Sequence, residues 1–132
     1  MIPSLRFVPS TNAAAPIVAA ARSDGALVHR IGAEDLGDAD RARAALARSL
    51  AFPSWSGSNW DAVADCLIDL SWLDPAPRLI VLDGLPASAP GTAWTATLLE
   101  ILLGAVRYWT RPGVPPLGVV VVTPPEPRGA GR

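Results

Sequence analysis

The chain has no lysine: all eleven of its basic residues are arginine. That absence removes Schiff-base catalysis, the P-loop lysine and lysine-dependent phosphotransfer. There is one cysteine, Cys66, and one histidine, His29. A lone cysteine cannot form an internal disulfide and fits a reducing compartment, so a cytoplasmic location is expected. One cysteine with one histidine cannot build a Cys/His zinc cluster. Ser-His-Asp or Cys-His catalysis would rest on that single imidazole. No apolar run reaches the ~18 residues of a membrane span, and no membrane partner is expected. The alanine-rich stretch 13–21, broken by Pro16, is too weakly apolar for a secretory signal. A net charge of −1 gives no electrostatic case for nucleic acid. No Gly-rich phosphate loop is present, and neither cofactor nor metal is expected.

What is present is one domain's worth of chain. It has 132 residues, 50% of them hydrophobic, enough to bury a core without staples. Residues 1–14 show no clear period and read as a loose N-terminal segment, and 124–132 as a disordered Pro/Gly-rich tail. A single domain is expected over 15–123. Pro16–Ala21 and Ala26–Ile31 are short apolar runs separated by Asp24-Gly25, which suggests a hairpin. Asp38 can cap a helix running to about Leu50. A loop over 52–57 follows, then a helix from Ser58 to near Leu73, stopped by Asp74-Pro75. Residues 78–82 and 117–122 are buried-type strands, and 92–108 is a strongly apolar helix. Strands joined by helical crossovers predict a small α/β domain with a mainly parallel sheet.

The informative segment lies between Arg48 and Arg78. It carries four aspartates, Asp61, Asp65, Asp69 and Asp74, and no cation. On a helix, Val63, Cys66, Leu67 and Leu70 form a core face. Asp61, Asp65 and Asp69 then form a stripe about 150° away. Like charges at i, i+4 repel by roughly 0.2–0.5 kcal/mol per pair, so the stripe is a mild defect in a free helix. The plain explanation is a solvated face, with Asp61 in a capping box with Ser58. Beside the stripe lie Ala64 and Ile68, and the loop carries Trp55. An apolar and aromatic rim around carboxylates looks like an interface. Gly57 is expected to supply a positive φ in the loop. Trp60 is read as core. Cys66 faces the core as an inert thiol, and His29 reads as an ordinary surface or edge histidine.

Residues 52–67, Phe-Pro-Ser-Trp-Ser-Gly-Ser-Asn-Trp-Asp-Ala-Val-Ala-Asp-Cys-Leu, resemble the signature of the barstar family of ribonuclease inhibitors. Gly57, Asn59, Asp61, Ala62, Asp65, Cys66 and Leu67 match its pattern in register, and a weaker resemblance covers about 26–122. The resemblance implies a three-stranded, mainly parallel sheet with packed helices. It also implies a partner, a basic extracellular or toxin-like ribonuclease, whose active site the loop and helix plug. Asp65 would take the place of the RNA phosphate, with Asp61 one turn earlier and Trp55 as the loop aromatic. Gly57, Asn59, Ala64 and Ile68 complete the implied contact set. Carboxylates suit this task, because they form charge-assisted hydrogen bonds to the arginines and lysines that hold phosphate. Two departures stand out. Ala64 replaces a bulky aromatic of the best-known member, and Glu100, the acid of the last helix, has no secure register. The family motif stops short of Asp69.

Two other readings use the same residues. One is a barstar-fold interaction module with a non-ribonuclease partner, since fold does not fix function. The other is an enzyme built on Asp83, which follows a strand where α/β active sites sit. No second ionisable group stands near Asp83 in sequence, so a non-enzymatic, monomeric inhibitor is the expectation.

Overall fold

A computed structural model of the chain describes residues 3–86 and 93–124. Four strands form one sheet: β1 (Leu5–Val8), β2 (Leu27–Gly32), β3 (Arg78–Asp83) and β4 (Leu117–Val122). Their order is β1-β4-β3-β2 and every pairing is parallel. Helices α1 (Thr11–Ser23), α2 (Ala39–Ser49), α3 (Trp60–Asp69) and α4 (Trp94–Trp109) connect them. All positions of β3 and β4 are buried, as befits strands covered on both faces. Leu79, Val81, Val120 and Val122 pack with α1 through Ala14 and Ala21. Ile80, Leu82, Val119 and Val121 pack with α2, α3 and α4 through residues such as Leu46, Leu67 and Leu102. The result is three layers, with one helix on one face of the sheet and three on the other.

The α/β class and the parallel sheet agree with the sequence reading, but the sheet has four strands where three were expected. The extra strand is β1, inside the segment expected to be loose. Its four residues are too few to display a period, and Pro3 and Pro9 flank it. It is held by register pairing from Leu5↔Val119 to Val8↔Val122.

The expected hairpin is a helix followed by a strand. Asp24 caps the C-terminus of α1, Gly25 takes φ +90°, and Ala26 N–H returns to the Ala21 carbonyl at 3.0 Å. Asp-Gly is here a Schellman helix stop, not a hairpin turn. Pro16 sits within α1 on its exposed side, at the loss of one intrahelical hydrogen bond. Thr11, at the start of α1, donates to Asp83 Oδ1 at 2.7 Å, and Arg30 Nε donates to Asp83 Oδ2 at 2.8 Å. That pair of bonds ties α1 and β2 to the end of β3. It holds the buried Asp83 carboxyl below its ordinary range, the Thr11 bond being the largest cause.

Helix α2 starts where expected, with Asp38 accepting from Arg41 N–H at 2.8 Å. Helix α3 does not. Its cap is Asn59, which accepts from Ala62 N–H at 2.8 Å, so Ser58 and Asp61 form no capping box. It ends at Asp69, not near Leu73, because Leu70 turns left-handed at φ 52°. Helix α4 buries Leu98, Leu102, Ala105 and Val106 as expected. The expected start of α4 at Thr92 and the tail 125–132 lie outside the described residues.

Candidate docking site

The loop from 50 to 59 is fastened at its root before it reaches α3. Ala51 stands left-handed at φ 52°, with Phe52 N–H bonded to the Ala47 carbonyl at 2.9 Å. Trp72 Nε1 donates to the Leu50 carbonyl at 2.9 Å, and its ring meets Phe52 edge-on at 5.9 Å. The Pro53 carbonyl accepts from both Ser56 N–H (3.0 Å) and Ser56 Oγ (2.8 Å), closing a turn over 53–56. Trp55 stands in that turn with 75% of its surface exposed. Burial pushes the Cys66 thiol up, with a bond from Ser56 opposing it, so the thiol packs against the turn as an unreactive group.

Gly57 does not have a positive φ, contrary to expectation. Its role is spatial: a Cβ there would stand 3.3 Å from the Ala62 side chain, at the first turn of α3. Asn59 is exposed and serves the helix cap. Asp61 and Asp65 are exposed on α3, Ile68 is exposed at 39%, and Ala64 is half-buried. Among the described residues neither Asp61 nor Asp65 is ion-paired. The helix thus presents both carboxylates and Ile68, with Trp55 exposed in the turn before it, while Val63, Cys66 and Leu67 hold its other side in the core.

Three tryptophans brace this platform through contacts that the sequence did not show. Trp109 Nε1 on α4 donates to the Leu67 carbonyl at 2.7 Å. Trp60 stacks on Trp94 at 6.4 Å, and the Arg43 guanidinium lies 4.9 Å from the Trp60 ring centre. Arg43 is itself paired with Asp40. Trp72 lies on the irregular segment after α3, where no period marks it.

His29 lies on the edge strand β2, in keeping with the edge reading, but both its ring nitrogens have partners. It is half-buried, with Nδ1 3.1 Å from the Ser49 carbonyl and Nε2 3.0 Å from Arg78 Nη1. Among the described residues no group of three His, Cys, Asp or Glu could hold a metal. No helix of the described residues is long and apolar enough to cross a membrane.

A family model described as Barstar (barnase inhibitor) matches residues 26–121. The chain belongs to the barstar family. Barstar-family proteins are inhibitors rather than enzymes, and the family implies a ribonuclease partner in general. No curated protein matches the chain. The barstar match begins after α1, so β1 and α1 are additions to the matched unit. The platform of loop and α3 falls wholly inside it.

Proposed function

We propose that this chain is a non-enzymatic inhibitor that docks on a basic extracellular or toxin-like ribonuclease through Trp55, Gly57, Asn59, Asp61, Ala64, Asp65 and Ile68. The observation that carries the reading is a helix displaying two exposed carboxylates one turn apart, with no cation paired to them among the described residues, and a largely exposed tryptophan in the turn that precedes it. A ribonuclease must hold phosphate with cationic groups. A carboxylate fixed on a helix offers those groups charge-assisted bonds without the loss of freedom that a flexible anion suffers. Asp65 stands in for the phosphate and Asp61 supports it. The protein works in the cytoplasm as a monomer until it meets its enzyme, and its free buried thiol suits that compartment. Ala64, in place of a bulky aromatic, favours a partner surface different from that of the best-known member. It is also the residue that a non-ribonuclease partner would exploit.

The test is cleavage of a fluorogenic RNA by barnase and by ribonuclease secreted by the source organism, each titrated with the purified chain. Stoichiometric loss of cleavage of either enzyme is expected. Asp65→Ala should raise the dissociation constant roughly 30- to 5000-fold, since truncating one partner of a buried charge pair costs about 2–5 kcal/mol. Thermal unfolding of the variant should not fall, and should rise slightly as repulsion from Asp61 and Asp69 is relieved. No inhibition of either enzyme, or small equal effects of Asp61→Ala and Asp65→Ala, would leave only a solvated helix face.

A further inference from the structure

Beyond the docking helix the chain forms a cleft of about 420 Å³, where the 69–76 segment meets Trp109 and the 113–117 segment. That volume falls in the range of about 300–1,000 Å³ used by small ligands. The cleft is contiguous with the platform, because Asp69 belongs to both: it is the last residue of α3 and part of the cleft lining. Each i, i+4 step advances about 6 Å along a helix, so Asp69 stands about 12 Å beyond Asp61 in the direction of the acidic stripe.

The cleft wall is mainly apolar, with Leu70, Trp109 and Pro115 among its residues. Trp109 is pinned there by its 2.7 Å bond to the Leu67 carbonyl. Two exposed carboxylates, Asp69 and Asp74, also belong to the lining, and among the described residues neither is ion-paired. The cation in the lining, Arg78, is 7% exposed. Its terminal nitrogens are committed to His29 Nε2 at 3.0 Å and to the Asp74 carbonyl at 2.7 Å; both partners are neutral, so its charge offsets one of the two carboxylates and the lining stays net negative.

We propose that this cleft receives an arginine side chain of the docked partner, so that Asp69 and Asp74 extend the recognition begun by Asp61 and Asp65. This rests on the docking reading above. The chemistry selects the occupant. An acidic side chain would meet two carboxylates. A purely apolar one would cover them while leaving them unpaired, which is costly. Lysine offers a compact point charge. Arginine offers a planar face for the tryptophan and proline walls and a donor fork that can serve both carboxylates.

The first experiment needs no ribonuclease. The nitrogen-15-labelled chain is titrated with N-acetyl-arginine amide and, as controls, with the matching norleucine and glutamate amides. Saturable shifts are expected for the Trp109 indole N–H and for backbone amides of 69–76, Gly113, Val114 and Leu117. The dissociation constant should lie at roughly 1–10 mM. The norleucine amide should bind at least several-fold more weakly, and the glutamate amide should produce no saturable shift. The Asp69→Asn/Asp74→Asn double variant should lose most of the arginine response while keeping its melting temperature. Asp65→Ala should leave that response unchanged.

Equal binding of arginine and norleucine, preferential binding of glutamate, or shifts away from the cleft would each overturn the proposal. The second arm repeats the ribonuclease inhibition assay with the double variant, where at least ten-fold weaker inhibition is expected. Unchanged inhibition there overturns the cleft's part in docking while leaving the role of Asp65 intact. Arginine binding by a chain that inhibits neither ribonuclease overturns the docking reading, and with it this use of the cleft.

Discussion

His29 shows how much one side chain can settle when its two ring nitrogens face different chemistry. Nδ1 faces the Ser49 carbonyl at 3.1 Å and the Ser49 hydroxyl at 3.4 Å, while Nε2 faces Arg78 Nη1, a donor only, so the proton sits on Nδ1. Nε2 then offers a lone pair to Arg78 Nη1. A second proton on Nε2 would turn N–H against N–H and set imidazolium beside guanidinium. Burial accordingly lowers the pKa of His29 below 6.5; the Ser49 carbonyl opposes this and the Arg78 charge adds to it. Because the folded value lies below the unfolded one, the unfolded chain takes up the proton first. The stability contributed by neutral His29 is therefore complete above about pH 6.5 and is lost as pH falls from there to the folded pKa. Urea unfolding between pH 5.5 and 7.5 should show stability rising with pH across this window. His29→Gln, whose amide can donate to Ser49 and accept from Arg78, should flatten that slope. A slope unchanged in the variant would assign it to another group.

At the scale of elements, the docking segment is bracketed by two left-handed residues that are not glycine, Ala51 and Leu70. They are the only such residues in the described chain. Ala51 occupies the Schellman position after α2, with its own N–H bonded to the Arg48 carbonyl at 3.3 Å and that of Phe52 to Ala47. A Cβ in this conformation costs roughly 1–2 kcal/mol, and glycine gives back about 0.5–1 kcal/mol in the unfolded chain. Ala51→Gly should therefore stabilise the protein by about 0.5–1 kcal/mol in equilibrium unfolding, with docking unaffected. Leu70→Gly should go the other way. Leu70 is buried, and exposing or deleting a leucine costs about 1.5–3 kcal/mol, which exceeds the relief of strain.

The same elements show what can be read from sequence. The core face of α3, the Asp38 cap and strands β3 and β4 were legible because each follows from local periodicity or capping chemistry. The acidic stripe was legible because three aspartates share one helical spacing. Strand β1 was not, because its pairing lies 114 residues away in sequence, from Leu5 to Val119. The Asp24-Gly25 stop was misread because the same dipeptide serves a hairpin and a helix C-terminus, and only the chain before it decides. Trp72 and Trp109 anchor the platform through carbonyls 22 and 42 residues away, a relation that no local pattern carries.

At the scale of the whole molecule, the family-matched region 26–121 contains the platform but not the cover of its sheet. Deleting residues 1–25 would bare Leu79, Val81, Val120 and Val122 and open the outer edge of β4. An apolar sheet face with a free edge is an aggregation template. The truncated chain should therefore self-associate where the full chain does not, as seen by size exclusion with light scattering. A monodisperse truncated monomer with an unchanged melting temperature would show β1 and α1 to be dispensable.

The strand order also has a temporal side. β4 lies between β1 and β3, yet it is made after both. The 114 residues from Leu5 to Val119 take roughly 6–23 s to synthesise at about 5–20 residues per second. Through that interval β1 has no strand beside it and α1 has only part of the sheet to lie on. The final strand enters as a keystone, pairing on both sides at once. A ribosome that pauses before residue 117 therefore holds a chain that has made its docking helix but lacks the strand that joins β1 to β3.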